Sequence, residues 1–273
     1  MAIKRNSAAM ELAGVIFCGC AVALAGAARA ADLDLSGYKL VFEENFSNLS
    51  VSSRGPGTRW IAHTPWNGDF GNAEFVDPQP DFPFIKKDGV FNIEVRQLPN
   101  GHWQSGLLCS VDQSGQGFKI LYGYVEMRAK LPAGNGMWPA FWLNSIPPRG
   151  SQDTGVEIDV MEQYGRFPRS FNTTINYWPK PGHYKQPSQM YVKKVPEGSL
   201  YADYHRYGVA VTPLWLIFYF DGTEYWRSPT PLDYRYPSMI LIDLGLGGGW
   251  PITRAPSPAF MAIDYVRAYA PLK

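Results

Sequence analysis

The sequence is short of cysteine, of charge and of helical periodicity, and each shortage closes off a class of protein. Only three cysteines occur in 273 residues, and two of them, Cys18 and Cys20, fall within the first 30. Residues 31–273 keep Cys109 alone, so no internal disulfide supports them and their stability rests on a packed core. Cys109 lies in the apolar run Gly106-Leu107-Leu108-Cys109-Ser110-Val111, where a thiol serves as a small buried apolar group. Charged residues make up 18% of the chain, and 25 basic against 24 acidic side chains leave a formal net charge of +1. That balance, without a block of like charge, carries no electrostatic footprint for nucleic acid. Disorder is excluded by an apolar content of 45%. Glycine (27) and proline (23) are plentiful but follow no period, which excludes collagen. The four histidines, at 63, 102, 183 and 205, are scattered and form no His-Glu-x-x-His motif, so no catalytic metal is visible.

At the N-terminus, Lys4 and Arg5 lead into the uncharged stretch Leu12–Ala28, followed by Ala28-Arg29-Ala30. A basic start, an apolar middle and an Ala-x-Ala exit make a secretory signal peptide, expected to span residues 1–30. Leu12–Ala28 falls short of the ~20 residues that cross a bilayer, which argues against a membrane anchor. Cleavage near Ala30 is expected to deliver a secreted or periplasmic protein with no membrane attachment. The remaining residues 31–273 hold 22 basic and 23 acidic side chains and suit a single, monomeric domain.

Past residue 30 the pattern is one of short apolar runs broken by Gly, Pro, Asn and Asp. Val90–Val95 and Gly123–Leu131 alternate apolar and polar residues, as half-buried strands do. Leu214–Phe220, Asp221-Gly222 and Thr223–Trp226 read as a hairpin with a two-residue turn. Further strand character appears at Lys39–Phe42 and Ala259–Tyr269, and no helix is expected. Regularly spaced strands without helices imply an all-β sandwich of antiparallel sheets. Pro65–Pro83 and Pro179–Pro196 read as long loops, candidates for the walls of a binding groove.

The chemistry concentrates in Val156-Glu157-Ile158-Asp159-Val160-Met161-Glu162. On a helix, Glu157 would point about 160° from Asp159 and about 140° from Glu162. The β-branched residues favour a strand, which puts Glu157 and Asp159 on one face and Val156, Ile158 and Val160 on the other. Glu162 then falls on the wrong face by one residue, and a single β-bulge near Val160-Met161 restores it. Three like charges on one strand face are a poor structural choice. A carboxylate pair flanking a bond is what glycoside hydrolysis needs, one group to attack and one to protonate the leaving oxygen.

Glu157-Ile158-Asp159-Val160-Met161-Glu162 resembles the bulged E-x-D-x-x-E signature of glycoside hydrolase family 16, in its laminarinase-like form. The upstream segments Tyr122–Pro132 and Gly136–Leu143 are similar to the strands preceding it in that family, and so are Tyr204–Val209, Asp221-Gly222 and Gly247–Pro251 downstream. The resemblance implies a concanavalin-like β-jelly-roll of two curved antiparallel sheets with an open concave cleft. It also implies a retaining endo-hydrolase of polysaccharide, most directly of β-1,3 or mixed β-1,3-1,4-glucan. Position by position, it makes Glu157 the nucleophile, Glu162 the acid/base and Asp159 the group that tunes Glu157. It departs at Asn176, where bulged members usually carry His; Asn-Tyr at 176–177 is similar to the lichenase branch, which lacks the bulge.

Aromatic rings stack on sugar faces, so Trp138 and Trp142, four residues apart in one strand, are expected to face the groove. Asn176 and Trp178 are further substrate-binding candidates, as is Trp66, while Asn72 and Glu74 resemble the loop on the non-reducing side of the cleft. No cofactor is required for this chemistry. Glu44 and Asp264 match positions that hold a structural calcium in family members, and both offer the oxygen ligands calcium takes. Two other readings share the scaffold: a hydrolase or transglycosylase of a bacterial exopolysaccharide, and a non-catalytic carbohydrate-binding module. The last expects one carboxylate of the pair to be lost, and both are present.

Overall fold

Strands that alternate in polarity need a second layer to cover their apolar face, and two sheets supply it. The structure is a computed structural model that describes residues 32–66 and 68–272. The expected signal peptide lies outside the described residues. One sheet runs Thr223–Pro229, Trp215–Phe220, His205–Val211, Gly123–Lys130, Ala259–Pro271, Val90–Gln97, Trp103–Ser105 and Glu74–Phe75, with Tyr38–Glu44 and Phe84–Lys87 joined beside this path. The other runs Gln189–Lys194, Ser170–Trp178, Gly155–Glu162, Met137–Ser145, Ser238–Leu246, Leu107–Cys109, Trp60–Ile61 and Val51–Ser52. All the long strands pair antiparallel. The expectation of wholly antiparallel sheets is corrected at two short ends, where Val51–Ser52 pairs parallel with Trp60–Ile61 and Glu74–Phe75 with Trp103–Ser105. The one described helix is the four-residue turn Ser199–Ala202.

The hairpin forms as expected: Asp221 (φ 51°) and Gly222 (φ 83°) occupy the left-handed region that a two-residue turn between twisted strands requires. The Pro179–Pro196 segment is not loop throughout. Gln189–Lys194 adds an outermost strand beside Ser170–Trp178, and its consecutive Met190, Tyr191 and Val192, none of them buried, leave no apolar alternation to reveal it.

Between the sheets lies the main core. Val156, Ile158, Val160 and Met161 are all buried there, opposite residues such as Met127, Val209 and Val266. A second cluster sits on the outer face of the eight-stranded sheet, where Leu107, Cys109, Ala140, Trp142, Met239 and Leu241 are covered by Phe70 and Phe75. The 65–83 segment thus closes one side of that face and leaves the rest open as a cleft. Burial pushes the Cys109 thiol up to about 12, so it stays protonated and inert, as its surroundings foretold.

Since Ile158 is fully buried between the two sheets, Ile158→Ala is expected to destabilise the fold by about 3 kcal/mol through lost burial and the cavity left behind. Denaturant unfolding checks this: the midpoint should fall with an unchanged slope. A loss below about 1 kcal/mol would show that the inner face of the carboxylate strand is loosely packed.

Candidate active site

The cleft has a volume of about 680 Å³, and the strand pairings order its floor into rows. Residues directly opposite across neighbouring strands point to the same face, so register alone tells which side chains share the floor. In one row Met239, Asn144, Glu157 and Asn176 stand side by side. The next holds Leu241, Trp142, Asp159 and Thr174. A third holds Asp243, Ala140, Glu162 and Asn172. Between Asp159 and Glu162 the register slips: Asp159 opposes Thr174 and Glu162 opposes Asn172, so two residues, Val160 and Met161, face the single Thr173. This is the bulge the sequence demands, and the Thr173 hydroxyl ties it down by donating to the Val160 carbonyl at 3.0 Å.

Amides hold Glu157. Asn144 Nδ2 donates to its Oε2 at 3.2 Å, and Asn176 Nδ2 donates to its Oε1 at 3.0 Å. The same Asn176 nitrogen reaches Asp159 Oδ2 at 2.9 Å, so one NH₂ group spans two carboxyl groups. Ser188 Oγ donates to Asn176 Oδ1 at 2.5 Å, which fixes the amide with its donors facing inward. Glu162 is held from the other end of the cleft, where Trp138 Nε1 (3.0 Å) and the Tyr164 hydroxyl (3.3 Å) both donate to Oε1. Trp138 stacks on Tyr164 with ring centroids 5.9 Å apart. Gly248 lies behind both rings, and a Cβ there would come within 2.7 Å of each, so only glycine lets the pair sit where it reaches Glu162.

The electrostatics of the floor are dominated by unpaired negative charge. Lys180 is the one basic side chain among the described lining residues, against Glu157, Asp159, Glu162, Asp243 and Asp153. Burial raises the Glu157 carboxyl, helped by the charge of Glu162 and opposed by the amide donors. Asp159, 5% exposed, is pushed well above the carboxylate range by burial and then by Glu162, Glu157 and Asp243. Glu162 is raised by burial, and the hydrogen bonds from Trp138 and Tyr164 work against that rise. Asp243, fully buried, is raised to about 8 by burial and by the charges of Glu162 and Glu157, against donors from Trp142 and Gly245. A floor of this kind holds some of its carboxyl groups protonated at neutral pH and provides both an acid and a base.

The expected site residues divide cleanly. Glu157, Asp159, Glu162, Trp138, Trp142 and Trp178 line one cleft, and Asn176 touches its carboxyl groups. Trp66 and Trp178 stand 43% and 48% exposed as aromatic walls, and the Trp142 ring lies in the floor, 6.4 Å from Trp66. Asn72 and Glu74 do not line this cleft. They border a second, more open depression with Asp69, His102 and Trp103, because the Asn72 backbone N–H donates to the Leu246 carbonyl and holds the loop beyond Trp138. Glu44 and Asp264 each have protein partners of their own. The Glu44 carboxylate accepts from the Phe46 backbone N–H at 2.7 Å and from Trp60 Nε1 at 3.1 Å, and Asp264 pairs with Arg128 at 2.5 Å. Among the described residues no three His, Cys, Asp or Glu side chains gather in a way that fits a metal ion.

Asn144, Tyr164, Ser188 and Asp243 were not anticipated. Asn144 was within reach, since it continues the every-second-residue pattern of Trp138 and Trp142. Asp243 also left a trace, as a lone carboxyl in the otherwise apolar run Met239-Ile240-Leu241-Ile242-Asp243-Leu244. Ser188 left none.

Residues 85–267 match the family described as Glycosyl hydrolases family 16. The chain is 31% identical over 261 residues to the endo-1,3-1,4-beta-glycanase EglC of Rhizobium meliloti (strain 1021), covering 87% of this chain and 53% of that protein. It is 30% identical over 282 residues to the glucan endo-1,3-beta-glucosidase A1 of Niallia circulans, covering 87% and 39%. The chain thus spans about half or less of the length of these curated relatives. Among solved structures, the endo-beta-1,3-glucanase from Pyrococcus furiosus aligns with a TM-score of 0.65 and 25% identity, covering 90% of this chain and 99% of that one. The laminarinase catalytic domain from Thermotoga maritima MSB8 shares the fold with a TM-score of 0.65 and 24% identity, covering 86% and 99%. A cleft floored by carboxyl groups, the jelly-roll around it and these matches agree: the chain belongs to glycosyl hydrolase family 16.

Proposed function

We propose that this chain cuts internal β-1,3 or mixed β-1,3-1,4 bonds of a glucan with retention of configuration, acting as an exported monomer. The observation that carries the reading is the unequal support of the two glutamates. Glu157 accepts amide donors on both oxygens, as suits a group that reacts as a carboxylate. Both donors to Glu162 converge on Oε1, which leaves Oε2 to carry a proton toward the cleft. Glu157 attacks the anomeric carbon while Glu162 gives its proton to the leaving oxygen, and a glycosyl ester forms on Glu157. Water then attacks that ester as Glu162 takes its proton, which regenerates both groups. Esterification removes the Glu157 charge, so Glu162 gives up its proton more readily at that stage and is ready to act as base.

The substrate half of the proposal rests on the named activities of the relatives and on the aromatic walls. Trp66 and Trp178 offer exposed faces to sugar rings, and an open cleft admits the middle of a chain. Asn176 takes the place of the usual His and spans Glu157 and Asp159, so its part is to hold the nucleophile.

Glu157→Gln is expected to reduce reducing-end release from mixed-linkage β-glucan and laminarin by several orders of magnitude, with the fold intact by circular dichroism. Equal activity in mutant and wild type would overturn the assignment. Proton NMR of the first-formed product should show the β-anomer; an initial α-anomer would establish inversion. Asn176→Ala removes the hydrogen bonds to both carboxyl groups and is expected to lower kcat by roughly 10- to 100-fold with little change in KM. A change confined to KM would place Asn176 on the substrate instead of the nucleophile.

A further inference from the structure

Val160 is the residue that the bulge leaves over. The Gly155–Glu162 strand pairs through Asp159 and Met161 with one neighbour and through Asp159 and Glu162 with the other, so Val160 has no opposite residue on either side. Its carbonyl is met from behind the sheet. The Thr173 hydroxyl lies 3.0 Å from that oxygen, and the Tyr225 hydroxyl lies 2.5 Å from Thr173 Oγ1 and 3.5 Å from the carbonyl. A carbonyl only accepts, so Thr173 gives its one hydrogen to Val160 and Tyr225 gives its own to Thr173. Burial pushes the Tyr225 hydroxyl above the usual tyrosine range, so it keeps the proton it donates. Neither group reaches the cleft. Thr173 is fully buried on the core face of its strand, between Asn172 and Thr174, which face the other way. Tyr225 belongs to the opposite sheet, on Thr223–Pro229, with its ring centroid 5.8 Å from that of Phe171.

We propose that Thr173 and Tyr225 are positioning residues for Glu162, a strut from the opposite sheet that holds the bulge and so aims the acid/base at the leaving oxygen. The inference rests on Glu162 as the acid/base. Beyond Glu162 the chain is already fixed, because the Gln163 backbone N–H donates to the Pro139 carbonyl at 3.1 Å and the Gln163 side-chain amide reaches the Tyr201 hydroxyl at 2.7 Å. Only the bulge side is left to give. Glu157 and Asp159 precede the bulge, in regular register with Asn176 and Thr174, so a slackened bulge moves Glu162 and leaves Glu157 in place. Removing the strut strips a buried carbonyl of its donor. The backbone relieves that by turning at Val160, which draws Glu162 away from Trp138 and Tyr164.

Leaving groups separate this role from a general loosening. A sugar leaves only as it is protonated, whereas 2,4-dinitrophenolate leaves without a proton. The measurement is kcat/KM on mixed-linkage β-glucan and on the 2,4-dinitrophenyl β-glycoside of a β-1,3-linked glucose dimer. On the glucan, Thr173→Val is expected to lose about tenfold and Tyr225→Phe about threefold, with less than about twofold lost on the aryl glycoside in either. Thr173→Ser restores the hydroxyl and should recover the glucan rate. Tyr225→Phe keeps the ring and removes one oxygen, so it reads the strut even where Thr173→Val fails to fold. An equal loss on both substrates overturns the proposal, and so does an undiminished glucan rate in Tyr225→Phe. Glu162→Ala is the control and should show the same split more steeply. An equal loss there overturns the acid assignment and the strut together, whereas a split there with none in the strut variants overturns the strut alone. Where the wild type cuts no β-glucan, the Trp138 indole N–H, bonded to Glu162 at 3.0 Å and identified by its loss in Trp138→Phe, carries the test. Its 1H–15N NMR peak should move in Tyr225→Phe, and an unmoved peak overturns the strut.

Discussion

One extra residue in one strand is the constraint on which the site depends. Side chains in a strand alternate with a period of two, so a regular Gly155–Glu162 strand would turn Glu162 into the core and Met161 into the cleft. An ionised carboxyl group in that core, with no partner, would cost several kcal/mol, and the apolar sulfur would be exposed in exchange. The bulge at Val160-Met161 lets both of these residues stay buried while Glu157, Asp159 and Glu162 all face outward. Its neighbours preserve it: the Thr173 hydroxyl donates to the Val160 carbonyl and accepts from the Tyr225 hydroxyl, tying the bulge to the opposite sheet.

From that placement the electrostatic design follows. The floor gathers four carboxyl groups from two strands and supplies hydrogen-bond donors, where a structural cluster would recruit arginine or lysine. Neutral donors lower a carboxyl pKa without cancelling its charge, so each group's remaining response to its neighbours stays large. Amide nitrogens stabilise Glu157 as an anion, an indole and a phenol orient Glu162, and burial with the neighbouring charges raises Asp159 between them well above the carboxylate range. A cation placed among them would flatten these differences and remove the division of labour.

The fold class and the carboxylate strand were legible in the sequence because both follow from periodicity. Alternation marks strands whatever lies next to them, and the misplaced Glu162 announces the bulge from within seven residues. What escaped notice depends on contacts between segments distant in sequence. Asp243 becomes part of the site only through the register that places it beside Ala140, roughly a hundred residues away. Ser188 reaches Asn176 from a proline-rich segment with no pattern of its own. Asn72 and Glu74 sit at the second depression for a related reason: a loop's local sequence does not say where the Leu246 carbonyl will hold it. Gln189–Lys194 was missed because an outermost strand with no buried face lacks the alternation by which strands are recognised.

Asn176 shows how a departure from a familiar pattern can be accommodated by the surrounding chain. A histidine at that place offers one N–H to each side and can change its own charge; an asparagine offers two N–H groups from one nitrogen and none of that titration. Used here, those two donors reach two different carboxyl groups, so the substitution couples Glu157 to Asp159 more directly than a single ring nitrogen does. The amide gains this only in one of its two orientations, since the flipped one would set Oδ1 against both acids. Ser188 selects the productive orientation by donating to Oδ1 from the segment that also forms the rim beside Trp178 and Lys180. The orientation of Glu157 is thereby tied to the segment that borders the cleft at Trp178 and Lys180, and the two are expected to vary together.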